Sequence, residues 1–361
     1  MVAHAGRGRA RTGARHGGPR RLAGLAAMAI GVAACARPGA GARVDQAEHR
    51  GAVVGAAAPA AAPAADAAAD TAADTARLMA RLRALAADSM EGRGTGTPGA
   101  ARARRWIVRE LQAMGVAPLG ADYAVPVRWR RRGSPEDAEA VNLVARIPGR
   151  VPGGPVLLLS AHTDHLGIRN GITYNGADDD ASGCVALLAV AEQLRRTPPQ
   201  HDVVLAFFDA EEAGLQGARG FVASPPLPLS RVALVINADM VARQDAGALW
   251  VAGTAHTPPL RPLVERVAAT ARIPVRLGHD TPGGKPGDDW TASSDHGAFH
   301  ARGIPFLYLG VEDHPDYHQP GDDADKVDAA FFGAVVEVLQ ALVREADARL
   351  AAMPPHRAGP R

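Results

Sequence analysis

Several widely spaced stretches of this chain carry the side chains of a cation site. The apolar run Val156-Leu-Leu-Leu-Ser-Ala ends in His162-Thr-Asp164-His165, and the segment Asn175-Gly-Ala-Asp178-Asp179-Asp180-Ala-Ser-Gly183 then sets three carboxylates between glycines. Glu211-Glu212, Asp239 and His318 follow at long intervals. Imidazole mixed with carboxylate favours zinc, with manganese or cobalt as substitutes, whereas an all-oxygen set would favour calcium or magnesium. Two histidines, two aspartates and one glutamate exceed the needs of one ion and suit a pair sharing a carboxylate. Taken singly, each of these residues is usually a solvated surface group or a satisfied core group. Their joint occurrence after apolar runs is what argues for a site.

The elements around them repeat one order: a short apolar strand, polar residues, then a helix. Val156–Ser160 leads to His162, Val203–Phe208 to Glu211 and Glu212, and Val232–Asn237 to Asp239, while Ile304–Leu309 comes shortly before His318. Helices fit Ser182–Arg195, Pro259–Arg272 and Val327–Leu350. Strands alternating with helices predict an α/β fold with a mostly parallel, mixed sheet covered on both faces, and such sheets place sites at the carboxyl ends of their strands. Upstream, helical spacing begins near Asp74 with Leu78, Leu82 and Leu85 on one face. It breaks at Glu91-Gly-Arg-Gly-Thr-Gly-Thr-Pro-Gly99, before a second helix at Ala100–Met114. That glycine-rich break has neither a Walker lysine nor a preceding strand, so it reads as a tight turn between packed helices. Tyr123–Arg130 and Val141–Ile147 alternate like strands around a polar connection at Arg131–Ala138.

From Met90 to about Val327 the chain resembles the M28 family of zinc metallopeptidases. The resemblance rests on separated motifs in order: Ser-Ala-His162-Thr-Asp164-His-Leu-Gly, Gly176-Ala-Asp178-Asp179-Asp180-Ala-Ser-Gly183, Phe-Asp209-Ala-Glu211-Glu212-Ala-Gly-Leu-Gln-Gly, Asn237-Ala-Asp239-Met and Tyr317-His318-Gln-Pro-Gly-Asp322. It implies a single three-layer αβα sandwich. It also implies that His162, Asp179 and Asp239 hold one zinc and that Asp179, Glu212 and His318 hold a second, with Asp179 as the bridge. Glu211 is then the general base for a water activated between the ions, and Tyr317 donates to the developing oxyanion. Adjacent glutamates at a strand end diverge, so one can ligate while its neighbour accepts a proton, in agreement with that assignment. Asp164, two residues after His162, is expected to orient the imidazole from behind. The short connection after Ile147 leaves no room for the protease-associated domain inserted in some relatives.

The charge balance points the same way. Residues 1–44 hold eight arginines and no acid, which leaves 32 basic against 38 acidic residues in the remainder. An acidic body argues against a nucleic-acid partner. The Arg-rich start and the short apolar stretch Leu22–Ala34 read as an export signal, and Val32-Ala33-Ala34-Cys35 resembles a lipobox, with lipidation at Cys35 favoured over plain secretion. With Cys184 as the only other cysteine, a disulfide framework is not expected. The expected organisation is a signal segment over 1–35, a disordered Ala/Pro-rich tether over 36–73, one catalytic domain over 74–352 and a flexible tail over 353–361.

Three further signals are set aside. Ser294-Asp295-His296 is contiguous and cannot reach triad geometry, Gly283-Gly-Lys285-Pro lacks the Ser or Thr of a phosphate loop, and Cys184 reads as a small buried hydrophobe. The loop 279–293 is expected to wall the substrate pocket. The chain is thus expected to be an exported, lipid-anchored dizinc aminopeptidase acting on peptides. The rival readings are a one-zinc glutaminyl cyclase, a dipeptide-directed carboxypeptidase, and a binding protein on an inactive scaffold.

Overall fold

The computed structural model describes residues 63–130, 137–281 and 288–353, with side chains from Asp74 onward. The leader, its lipobox-like end, the tether up to residue 62, residues 131–136 of the predicted polar connection and the tail beyond Met353 lie outside the described residues. The described residues all fall in one compact unit.

In chain order the helices are α1 (Pro63–Leu85), α2 (Pro98–Ala113), α3 (Gly183–Arg196), α4 (Gln216–Ala223), α5 (Arg261–Ala268), α6 (His296–His300) and α7 (Ala329–Asp347). The strands are β1 (Ala117–Pro118), β2 (Ala124–Arg130), β3 (Asp137–Ile147), β4 (Val156–His162), β5 (Gly167–Arg169), β6 (Ile172–Tyr174), β7 (Asp202–Phe208), β8 (Val232–Ala238), β9 (Leu249–Ala252), β10 (Val275–Leu277) and β11 (Phe306–Gly310). Among the described residues, nine strands form one sheet ordered β1-β3-β7-β4-β8-β11-β9-β10, with β2 also paired to β3, while β5 and β6 form a separate hairpin.

The four central strands β7, β4, β8 and β11 are mutually parallel. The flanks are not: β1, β2 and β7 run antiparallel to β3, and β9 runs antiparallel to β11. The parallel order expected of the sheet therefore belongs to its centre. The reason on the β3 side is connectivity, since β1, β2 and β3 follow one another directly and a parallel pair needs a long crossover.

Every residue of β4 and β7 is buried, as strands covered on both faces require. Alternation along β4 separates the two faces: Leu157 and Leu159 join one apolar cluster, and Val156 and Leu158 join the other. The first cluster includes Leu82 of α1, Ile107 of α2, Leu187 of α3, Val264 of α5 and Leu339 of α7. The second includes Phe221 of α4 and Phe299 of α6, which meet Phe208 of β7 at ring separations of 5.6 and 6.0 Å. Helices on both sides of the sheet make the three layers predicted.

Three boundaries differ most from the sequence reading, and one is β3, which starts at Asp137 inside the expected polar connection. Helix α1 starts at Pro63, within the stretch expected to be tether. The reason is alanine, which loses least on entering a helix, and proline is tolerated in a first turn. At the other end, the helix expected over Pro259–Arg272 is a 3-10 turn at Pro258–Leu260 followed by the shorter α5.

Asp202, at the start of β7, ties the edge of the molecule opposite the site. It accepts from Gly149 N at 3.0 Å, from Arg146 Nη2 at 2.9 Å and from Arg231 Nη2 at 3.2 Å. Burial acts to raise its pKa, but these donors outweigh it and hold the carboxyl below the ordinary carboxylate range. A depressed folded-state pKa gives stability that is present above the unfolded value and lost as pH falls through the folded one. Unfolding free energies of wild type and Asp202→Asn, measured by urea titration from pH 7 to pH 2, should therefore differ at neutral pH and converge below about pH 4.

Candidate metal centre

His162 is the last residue of β4, and its side chain is 1% exposed. Its Nε2 lies 3.2 Å from Asp179 Oδ1 and 3.4 Å from Asp239 Oδ1, just beyond the end of β8. The other oxygen of Asp179, Oδ2, lies 3.2 Å from His318 Nε2, and the same nitrogen is 3.3 Å from Glu212 Oε2. Ligands at about 2.0–2.1 Å from a tetrahedral zinc are separated from one another by about 3.3–3.4 Å. All four distances match that spacing. The fold thus gathers His162, Asp179, Asp239, Glu212 and His318 in two groups, with Asp179 giving one oxygen to each.

Asp179 is free to do this because its neighbours are occupied. Asp178 Oδ1 accepts from Ala242 N at 2.6 Å, and Asp180 accepts from His162 N at 3.0 Å and Gly183 N at 2.8 Å. Asp322 accepts from the amides of Asp178 and Asp179 at 3.0 and 3.1 Å. Gly176, at φ 56°, closes this turn where a Cβ would come within 2.5 Å of the His165 ring. From below, the fully buried Arg93 donates to the carbonyls of Leu85, Thr163, Asn175, Gly176 and Asp179. Arg93 belongs to the glycine-rich break that the sequence presents as a simple turn.

The turns after the other strands are strained in the same region. Ala210, before Glu211, Met240, after Asp239, and His318 itself have φ of 60°, 55° and 54°. Left-handed backbone at a non-glycine residue costs about 1–2 kcal/mol and persists where the surroundings impose it, commonly at functional sites.

Glu211 and Glu212 follow β7, and their amides donate to Asp164 Oδ1 and Oδ2 at 3.0 and 3.3 Å. Asp164, expected to orient His162, meets the ring through its main-chain carbonyl, 3.1 Å from His162 Nδ1, while the nearest carboxylate oxygen stands at 3.7 Å. The carboxylate is committed to the turn that carries the two glutamates. Burial, with the nearby acids Asp239, Asp295 and Asp164, raises the Glu211 carboxyl well above its usual range. Burial would also raise Glu212, but the nitrogens of His165 and His318 outweigh it and bring that carboxyl to about 2. Two adjacent glutamates are thus driven apart, one toward holding a proton and one toward constant ionisation.

Tyr317 stacks on His318 with ring centroids 4.1 Å apart, and burial raises its hydroxyl above the ordinary phenol value. Both residues line an open cleft together with Met240, Trp290, Tyr308 and Val311. Of the loop 279–293, Trp290 reaches this wall, stacked at 3.8 Å on His279, while residues 282–287 lie outside the described residues.

Of the three discounted signals, Cys184 and Ser294-Asp295-His296 form scaffold contacts, and Gly283-Gly-Lys285-Pro lies outside the described residues. Cys184 donates through Sγ to the His162 carbonyl at 3.0 Å, Ser294 Oγ accepts from Asn237 Nδ2 at 2.9 Å, and His296 Nε2 lies 2.8 Å from the Trp290 carbonyl. The sequence reading gave no role to Arg93, His165 or Tyr308. His165 was visible inside the first motif. Tyr308, which donates to the Asp239 carbonyl at 3.3 Å, looked like an ordinary strand residue. Two clusters, His162–Asp179–Asp239 and His165–Asp179–Glu212, bring their donor atoms close enough to hold a cation. Glu212 Oε1 and both nitrogens of His165 are buried without a hydrogen-bond partner. Orphaned donors and acceptors of these types fit a zinc-binding centre.

The family described as Peptidase family M28 matches residues 142–343. A probable lipoprotein aminopeptidase, LpqL, from Mycobacterium tuberculosis is 28% identical over 241 residues, covering 58% of this chain and 46% of its own. Among solved structures, a zinc aminopeptidase from Bacillus subtilis has a TM-score of 0.60 at 16% identity, covering 75% of this chain and 95% of that one. A Porphyromonas gingivalis glutaminyl cyclase has a TM-score of 0.61 at 18% identity, with 74% and 97% covered. At such identities the two structures establish likeness of fold. The chain spans less than half the length of the curated relatives it matches, from 12% to 46% in the first three.

Arg93 gives a direct test of how the turn is held. Arg93→Met leaves its carbonyl partners without a donor and should destabilise the protein by at least ~3 kcal/mol in urea titration. Arg93→Lys keeps the charge but not the fork and should fall between the two, with zinc content by atomic emission reduced in both variants.

Proposed function

Because this chain is a member of peptidase family M28, matched over residues 142–343, we propose that it is an exported dizinc exopeptidase that removes N-terminal residues from peptides. The observation that carries the reading is Asp179, whose two oxygens face separate groups of donors, His162 and Asp239 on one side, Glu212 and His318 on the other. His162, Asp179 and Asp239 would hold one ion and Asp179, Glu212 and His318 the second. A bound divalent pair supplies Lewis acidity to a peptide carbonyl and lowers the pKa of water in the cleft.

The chain's own residues do the rest. Glu211, with its carboxyl raised by burial, takes the proton of the attacking water and returns it to the leaving amine. Asp164 fixes the backbone from which Glu211 and Glu212 diverge, and so fixes the distance between base and ligand. Tyr317 stands in the cleft beside His318 and donates its hydroxyl proton, held by a raised pKa, toward the oxygen that gains charge. Met240, Val311 and Trp290 offer apolar walls to a substrate side chain. Export rests on the arginine-rich leader and the lipobox-like Val32-Ala33-Ala34-Cys35, in keeping with the lipoprotein description of the mycobacterial relative. Attachment would come from a lipid on Cys35; among the described residues no helix is long and apolar enough to cross a membrane. A one-ion cyclase shares the fold but would leave one donor group idle.

Hydrolysis of aminoacyl chromogenic substrates should disappear on chelation and return with zinc, and N-blocked analogues should be cleaved far more slowly. Cleavage of blocked peptides at equal rate would remove the requirement for a free amine. Glu211→Gln should lower kcat by about 10²–10⁴-fold with two zinc ions retained by atomic emission.

A further inference from the structure

His165 is 0% exposed at its side chain, and neither ring nitrogen has a hydrogen-bond partner. A buried imidazole left in this state forfeits about 1–3 kcal/mol per unsatisfied group. Its Nδ1 lies 2.8 Å from Glu212 Oε1 and 3.6 Å from Asp179 Oδ2. Glu212 Oε1 is itself buried and unpartnered, whereas Oε2 faces His318 Nε2 at 3.3 Å. Two orphaned atoms, one able to donate and one to accept, therefore stand at hydrogen-bond distance, short only of alignment. The ring packs directly on the left-handed Gly176, where an added Cβ would stand 2.5 Å from its Cγ, so that only glycine leaves it this place.

We propose that His165 is a positioning residue for Glu212: its Nδ1–H engages Oε1, leaving Oε2 as the single oxygen presented with His318 and Asp179 to the second cation. A carboxylate held at one oxygen cannot swing to chelate with both, and partners of this kind behind a ligand typically set metal affinity by 10–100-fold. The donor must be Nδ1, so the tautomer protonated there is the one required. This inference rests on the two-ion reading of the centre.

The test is stepwise zinc titration of the full chain against a chromophoric chelator, for wild type, His165→Ala and His165→Asn. The asparagine amide nitrogen can occupy the place of Nδ1 and donate, yet is a poor zinc ligand. Affinity for the second ion should fall 10–100-fold in His165→Ala and recover to within a few-fold of wild type in His165→Asn, with the first ion unaffected. Equal second-ion affinity in His165→Ala and wild type overturns the inference. So does a His165→Asn variant as weak as His165→Ala, which would make the imidazole itself a ligand. If the alanine variant also loses the first ion or its circular dichroism signal, the asparagine variant decides alone. Wild type that binds a single ion overturns the two-ion reading as well, which separates that failure from this one.

Discussion

The structure is organised by the need to keep negative charge buried in one place. Asp178, Asp179, Asp180, Asp239 and Asp322 are all under a tenth exposed, and Glu212 stands among them. A carboxylate removed from water costs several kcal/mol unless it is paired, and like charges add to that. The chain answers with three kinds of partner. Backbone amides take Asp178, Asp180 and Asp322, and the Arg93 guanidinium lies beneath the same turn. What remains, Asp179, Asp239 and Glu212, faces imidazoles across distances that suit a shared cation. The carboxylates that look interchangeable in sequence are thus divided into those that build the turn and those it presents.

That division explains why the parallel centre of the sheet matters more than its flanks. Strands β4, β7, β8 and β11 end on one side, and each hands over to a turn carrying part of the centre. Positive φ at Ala210, Met240 and His318 places strain at those handovers, about 1–2 kcal/mol apiece. The fully buried strands behind them can hold such strain because their side chains are locked between two helical layers. The antiparallel flanks carry no ligand and only close the edges.

How much of this was legible in sequence depends on whether the signal resides in a side chain. Strand ends at His162, Glu211, Glu212 and Asp239 were readable because apolar runs stop abruptly at polar residues. The start of α1 was not, since alanine supplies helix propensity without the large apolar residues that mark a core-facing helix. Arg93 was hidden for a different reason: its partners are main-chain carbonyls, which leave no trace in the residue types around it. Asp164 fell between these cases. Its position two residues after His162 marks it as a partner, but which of its oxygens meets the ring is decided by the turn after β7.

The two halves of the centre are not equivalent in their surroundings. His162 is 1% exposed at its side chain, whereas His318 is 39% exposed and emerges from a turn past the end of β11. A donor fixed at a strand end within a closed core has little freedom, so the His162 side is pre-formed by the sheet. The His318 side depends on a surface turn and on Glu212, whose backbone is held by Asp164 and whose buried Oε1 meets His165. Precision there has to be supplied by neighbouring side chains instead of by the strand ladder.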